Sequence, residues 1–113
     1  MKVTIYHNPQ CSNSRKALEI IRTIGIEPEV VEYLKTPLTR EQLAVLVAHM
    51  GVSPCDIVRS KEAVYTQLAL DGASEAALLD AMAAHPALMN RPIVVTDKGA
   101  RLCRPGEMVT EIL

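Results

Sequence analysis

The chain has 113 residues, a net charge of −1, and 49% hydrophobic against 22% charged residues. That length suits one domain of the usual size, roughly 50 to 250 residues, large enough to bury a core without disulfide or metal staples, and the composition excludes disorder. Three Tyr without Phe or Trp leave no stacking platform for single-stranded nucleic acid, the near-neutral balance points to neither a nucleic-acid nor a membrane partner, and no apolar run approaches the roughly 18 residues of a membrane span.

The N-terminal run Met1 to Tyr6 turns polar at His7 and lacks the apolar stretch of a signal peptide. Three scattered cysteines are too few for a disulfide framework and leave at least one free thiol, which points to the reducing cytoplasm. Monomer is the default state.

Val3 to Tyr6 reads as a short strand stopped by Asn8-Pro9. A helix follows over Ser12 to Thr23, with Ala17, Ile20, Ile21 and Ile24 at i, i+3, i+4 and i+7 as its buried stripe and Gly25 closing it. Glu29 to Tyr33 is a second strand between Pro28 and Pro37, and the βαβ unit so formed should be parallel and right-handed. Thr39 and Gln42 have the spacing of a capping box ahead of a helix carrying Leu43, Leu46, Val47 and Met50. Ser53-Pro54 opens a short helix. Lys61 to Leu70 has helical character, and Ser74 caps a further helix through Leu78, Leu79 and Met82 that ends before Pro86. Ile93 to Thr96 and Ala100 to Cys103 are strands around an Asp97-Lys98-Gly99 turn, and Pro105 opens a last helix to Leu113. The order is βα-βα, a helical insertion over about 38–88, then ββα: one α/β domain spanning 1–113, with a mixed sheet of about four strands.

Cys11 stands apart from the other cysteines because it lies between a strand and a helix N-terminus. Unpaired N–H groups and about half a positive charge from the helix dipole favour thiolate there, and thiolate is the reactive species. His7, Ser14 and Arg15 can each support it with charge or a hydrogen bond. Its Pro, Asn and Ser neighbours predict an exposed loop. Cys-x-x-Ser replaces the dithiol motif, so no disulfide can close within this loop and any adduct must be resolved by an outside thiol. Cys55, at a helix start, and Cys103, ending an apolar strand, read as buried filler. No cysteine spacing fits a zinc site, and no metal is expected. Arg59, Arg91 and Arg104 sit next to strand or helix ends, where guanidinium forks suit tetrahedral oxyanions; spacing alone does not bring them together.

The run His7-Asn8-Pro9-x-Cys11-x-x-Ser14-Arg15 resembles the active-site loop of the glutaredoxin-coupled arsenate reductase (ArsC) family. So do Tyr33-Leu34-x-Thr36-Pro37, Arg59, Asn90-Arg91-Pro92-Ile93-Val94-Val95 and Arg101-Leu102-Cys103-Arg104-Pro105, in order along nearly the whole chain. The resemblance implies a thioredoxin/glutaredoxin-like fold whose helical insertion separates the second and third strands. It implies reduction of arsenate to arsenite with glutathione as co-substrate, glutaredoxin as partner, and no tightly bound cofactor. It aligns the nucleophile with Cys11, the oxyanion-holding arginines with Arg59, Arg91 and Arg104, and a cis-proline with Pro92. Ser12 and Asn13 depart from the family's common Gly and Thr, though each can still present a backbone N–H to an anion. A phosphatase-like Cys-x5-Arg loop is excluded, because Ala17 occupies the arginine position. The competing readings are a glutathione-dependent thiol–disulfide oxidoreductase on the same fold and a non-enzymatic regulator binding RNA polymerase, whose relatives usually carry Cys-x-x-Cys.

Overall fold

A computed structural model describes residues 1–113, and its contacts divide them into two compact units, Met1–Thr36 with Arg91–Leu113, and Pro37–Asn90.

The first unit holds β1 (Thr4–His7), α1 (Ser12–Thr23), β2 (Glu29–Glu32), β3 (Ile93–Thr96), β4 (Gly99–Leu102) and a 3-10 stretch, Gly106–Ile112. The strands form a mixed sheet in the order β2-β1-β3-β4. β1 and β2 run parallel with Ile5 opposite Val30, as a strand–helix–strand crossover allows. β3 is antiparallel to β1 and to β4. β1 starts and ends one residue later than the sequence suggests, so it reaches His7, which pairs with Glu32. β4 begins at Gly99, paired directly with Thr96, which leaves a two-residue Asp97-Lys98 turn in place of the three-residue one.

The core of this unit is aliphatic: Val3 and Ile5, Ala17 and Ile21 of α1, Val94 of β3, then Cys103, Val109 and Ile112. Removing each large aliphatic side chain from water contributes about 1.5–3 kcal/mol. The buried stripe of α1 is Ser14, Ala17 and Ile21; Ile24, expected on it, is the C-cap and lies 54% exposed. The last segment is not an α-helix. Its buried residues are Gly106, Val109 and Ile112, spaced by three, which matches three residues per turn.

The second unit holds α2 (Arg40–Met50), α3 (Ala63–Gln67), α4 (Glu75–Ala84) and 3-10 turns at Pro54–Asp56 and Pro86–Leu88. The capping box at Thr39 is formed: Gln42 N–H donates to Thr39 Oγ1 at 3.1 Å and Thr39 N–H to Gln42 Oε1 at 2.9 Å. Ser74 Oγ accepts the Ala77 N–H at 3.1 Å and starts α4. Leu43, Leu46, Val47, Ile57, Leu78, Leu79, Met82, Leu88 and Met89 are buried.

Three helices end on one device. In α1, Gly25 N–H donates to Arg22 O and Ile26 N–H to Ile21 O; in α2, Gly51 and Val52 do the same to Ala48 O and Val47 O. The residue at the bend is left-handed, with φ +90° at Gly25 and +71° at Gly51, as this paired closure requires. α3 ends identically, with Ala69 N–H on Thr66 O and Leu70 N–H on Tyr65 O, but Ala69 is held at φ 52°. The helix expected over Lys61 to Leu70 is therefore only Ala63–Gln67. A Cβ in that conformation costs roughly 1–2 kcal/mol, part of which glycine would return as unfolded-state entropy. Ala69→Gly should therefore stabilise the protein by about 1 kcal/mol, read as a higher urea midpoint; an unchanged or lower midpoint would show that Ala69 carries no strain.

Candidate active site

Between β1 and α1 the chain folds back on Asn8. Its carbonyl accepts the Cys11 N–H at 3.0 Å and its Oδ1 accepts the Gln10 N–H at 2.9 Å, an Asx turn of the kind Asn-Pro favours. The turn delivers Cys11 to the N-cap of α1, at φ −94° and ψ 124°. An N-cap residue ordinarily offers a side-chain oxygen to the N–H groups two and three residues on. Cys11 makes no side-chain cap hydrogen bond; the N–H groups of Ser14 and Asn13 instead favour its ionised form. No acidic residue occupies the first turn, so the thiolate is the anion at the helix's positive end.

Burial alone would raise the Cys11 thiol; hydrogen bonds from the Ser14 N–H, the Arg91 side chain, the Asn13 N–H and the Ser14 hydroxyl outweigh it and bring the pKa from 9.0 to about 7. Ser14 is fully buried. Its Oγ accepts the Asn8 N–H at 3.3 Å, which leaves its own proton for the sulfur. Cys103 makes the contrast: burial pushes its thiol up to about 11. One cysteine is about half thiolate at neutral pH and the other is core.

The β3–β4 hairpin brings two arginines to the same place. Ile93 lies opposite Leu102, the next step outward is a Cys103 N–H bond to Pro92 O at 2.9 Å, and one step further the register opposes Arg91 to Arg104. Arg104 Nη1 donates to Arg91 O at 2.9 Å and reaches Cys11 Sγ at 3.6 Å. The Arg91–Pro92 and Arg104–Pro105 bonds are both cis. Cys11, Ser14, Arg91 and Arg104 thus converge. Despite its polar neighbours Cys11 is only 8% exposed, because this convergence covers it.

The other residues singled out by sequence lie elsewhere in the network. Arg15 Nη1 donates to Pro9 O at 2.9 Å and braces the loop. His7 is buried, and its Nδ1 has no hydrogen-bond partner. Its pKa is lowered chiefly by burial, against the Glu32 charge and with help from Arg22 and Arg15, so at neutral pH it brings no positive charge. Arg59 belongs to the second unit, where a bridge between Val58 and Met89 sets its backbone. Its N–H donates to Leu88 O at 2.7 Å and Nη1 to Asn90 Oδ1 at 3.4 Å, while its buried Nε lacks a partner. Cys55, expected as filler, is exposed; Pro54 takes the buried place in that turn, and the Cys55 sulfur rests 3.0 Å from Ser53 Oγ. No three His, Cys, Asp or Glu side chains gather as metal ligands. No helix is long and apolar enough to cross a membrane.

Sequence reasoning placed Asn8 in the motif and gave Asn13 a backbone N–H for an anion, but assigned no role to either side chain. Asn-Pro before a cysteine is a usable signal for the first. Asn13 carries none, because its side chain accepts from the N–H of Gly106, 93 residues away.

Residues 6–112 match the ArsC family. The chain belongs to the ArsC family. It is 50% identical to an arsenate reductase of Escherichia coli K12 over 113 residues, covering 98% of this chain and 80% of that protein. It is also 50% identical to an arsenate reductase of Rhizobium meliloti strain 1021 over 115 residues, covering 100% and 82%. An arsenate reductase structure from Vibrio cholerae superposes with a TM-score of 0.95 at 45% identity, covering 100% of this chain and 98% of that one. The four-stranded mixed sheet is the thioredoxin-like sheet of the ArsC family. On that sheet this ArsC chain presents a single thiolate under two guanidinium groups, which suits attack on an anionic electrophile.

Because folding lowers the Cys11 pKa, its contribution to stability is complete above about 9 and fades as pH falls through about 7. Alkylation of Cys11 by iodoacetamide should rise with a midpoint near 7, while Cys103 stays unreactive in the native protein. Ser14→Ala should move that midpoint upward and destabilise the fold by about 1–3 kcal/mol, since the Asn8 N–H loses its acceptor. A wild-type midpoint at or above the ordinary value of about 8.5 would contradict the hydrogen-bond network described here.

Proposed function

We propose that the chain reduces arsenate to arsenite, with Cys11 as nucleophile, Arg59, Arg91 and Arg104 as the groups that hold the oxyanion, and glutathione and glutaredoxin as the source of electrons. The observation that carries this reading is the Cys11 sulfur at the N-cap position of α1, 3.6 Å from Arg104 Nη1. A thiolate and an arsenate oxyanion repel each other, and guanidinium groups aimed at the site lower that barrier by neutralising charge as the two approach.

In the first step the Cys11 sulfur forms a bond to arsenic(V), and one arsenate oxygen, taking up two protons, leaves as water. Glutathione then adds its sulfur to arsenic with loss of a second water. A glutaredoxin thiolate attacks the glutathione sulfur; the sulfur–arsenic bond breaks and its electron pair stays on arsenic, which becomes arsenic(III). Water finally displaces Cys11, releasing arsenite and restoring the thiolate. Ser14 in place of a second loop cysteine supports the borrowed thiols, because no partner for Cys11 lies within the motif. Arg59 enters through the family resemblance. The setting is the cytoplasm, where glutathione is abundant and three free thiols persist, and the role is detoxification of arsenic.

Arsenate-dependent NADPH oxidation, coupled through glutathione, glutaredoxin and glutathione reductase, tests the proposal. Wild type should show it and Cys11→Ser should not. Oxidation that ignores arsenate would instead indicate a general thiol–disulfide oxidoreductase. Arg91→Lys keeps the charge and loses the planar fork, so kcat/KM for arsenate should fall by roughly tenfold or more, the loss of one charge-assisted hydrogen bond. Unchanged kinetics would remove Arg91 from the site.

A further inference from the structure

Asn13 touches both halves of the thiolate site, although its side chain faces away from the sulfur. Its backbone N–H is one of the donors to Cys11 Sγ. Its Oδ1 accepts the Gly106 N–H at 3.2 Å. Gly106 follows the Arg104–Pro105 pair directly, and Arg104 is the residue whose Nη1 reaches Cys11 Sγ. The same asparagine therefore holds the sulfur from one side and, through two residues of chain, the guanidinium from the other.

The contact is tight. A Cβ built on Gly106 would stand 2.5 Å from Asn13 O and 2.9 Å from both Ala17 N and Lys16 Cβ, so glycine at 106 lets the segment lie against the first turn of α1. Asn13 Oδ1 provides the directional bond within that contact. An amide oxygen suits the place, since it accepts the bond without adding a negative charge beside the thiolate. Arg104 is exposed, and an arginine side chain at the surface is free to leave a sulfur 3.6 Å away unless its backbone is held. The Arg91 carbonyl restrains the guanidinium; Asn13 restrains the chain that carries it.

We propose that Asn13 is a positioning residue, which through the Gly106 N–H keeps the Arg104 guanidinium over the Cys11 sulfur.

The test compares iodoacetate, an anion, with the neutral iodoacetamide, both followed at Cys11 by peptide mapping of the intact protein. A guanidinium held over the sulfur favours the anionic reagent, so the ratio of the two rates reports its placement. This readout does not require arsenate to be the substrate, so its failure is distinct from failure of the proposed activity. Asn13→Ala should lower the ratio by about fivefold, within the usual range of coupling between contacting groups, and Arg104→Ala should lower it by a similar factor. In the Arg104→Ala background, Asn13→Ala should change the ratio no further. Independent, multiplying losses would overturn the proposal, as would an unchanged ratio in Asn13→Ala. Asn13→Ala is a favourable exchange for helix propensity, and circular dichroism confirms the fold. Asn13→Asp, which keeps the acceptor, should leave Arg104 in place and instead raise the pH midpoint of iodoacetamide alkylation through its added charge; a midpoint at or below that of wild type would also count against the proposal.

Discussion

The site depends on a sulfur carried at the N-cap position of a helix. α1 begins with N–H groups that have no partner within the helix, and every helix must satisfy them somehow. Placing Cys11 at the N-cap sets its sulfur beside the N–H groups of Ser14 and Asn13, which favour its thiolate, so helix start and reactive group share one place. The anchoring comes from below: Ala17 and Ile21, nearly two and three turns on, are wholly buried against Ile5 and Val94. Rotating α1 enough to release the sulfur would pull those side chains out of the core. Pre-organisation of the thiolate therefore has the stability of the hydrophobic core behind it, and no metal or disulfide is required to hold it.

The arginines reach the sulfur by a different route, strand register. Opposite residues in an antiparallel hairpin face each other along the paired strands. The Cys103–Pro92 bond continues β3 and β4 by one step, and the next residues out are Arg91 and Arg104. A one-residue slip would flip every side chain to the other face and separate the two. The slip is blocked by the short Asp97-Lys98 turn, where Thr96 Oγ1 accepts the Lys98 N–H at 3.0 Å and donates to Ile112 O at 2.6 Å. A turn at the far end of the hairpin thus governs where two guanidinium groups sit.

These two mechanisms explain what was legible in sequence. The periodicity of α1, the capping box at Thr39 and the turn after Thr96 are local, and local chemistry is readable in order. The loop position of Cys11 and the direction of its pKa shift followed from the helix terminus together with nearby polar side chains. What escaped was either a matter of register or of distance along the chain. The three-residue spacing of Gly106, Val109 and Ile112 is visible afterwards as a 3-10 pattern, but proline ahead of an apolar run reads more naturally as an α-helix start. Exposure misled in both directions. Polar neighbours suggested an open Cys11, which distant arginines cover, and a helix start suggested a buried Cys55, which Pro54 displaces. His7 and Arg15 looked equivalent to Ser14 as thiolate supports; only three-dimensional placement shows one neutral and buried and the other spent on Pro9.

A pKa near 7 also fits both ends of the proposed reaction. Thiolate nucleophilicity falls as pKa falls, while leaving-group ability rises. Cys11 must first attack arsenic and later depart from it. An ordinary thiol near 9.0 would be mostly protonated at neutral pH and slow to leave; a deeply depressed one would leave readily but attack weakly. About 7 is the compromise that makes about half the molecules thiolate at neutral pH while keeping the sulfur basic enough to bond. The value is set by opposing causes, burial raising it and four hydrogen bonds together outweighing burial. Exposing the sulfur would remove the first and weaken the second together, so the partial burial of Cys11 is part of its tuning and not an obstacle to its reactivity.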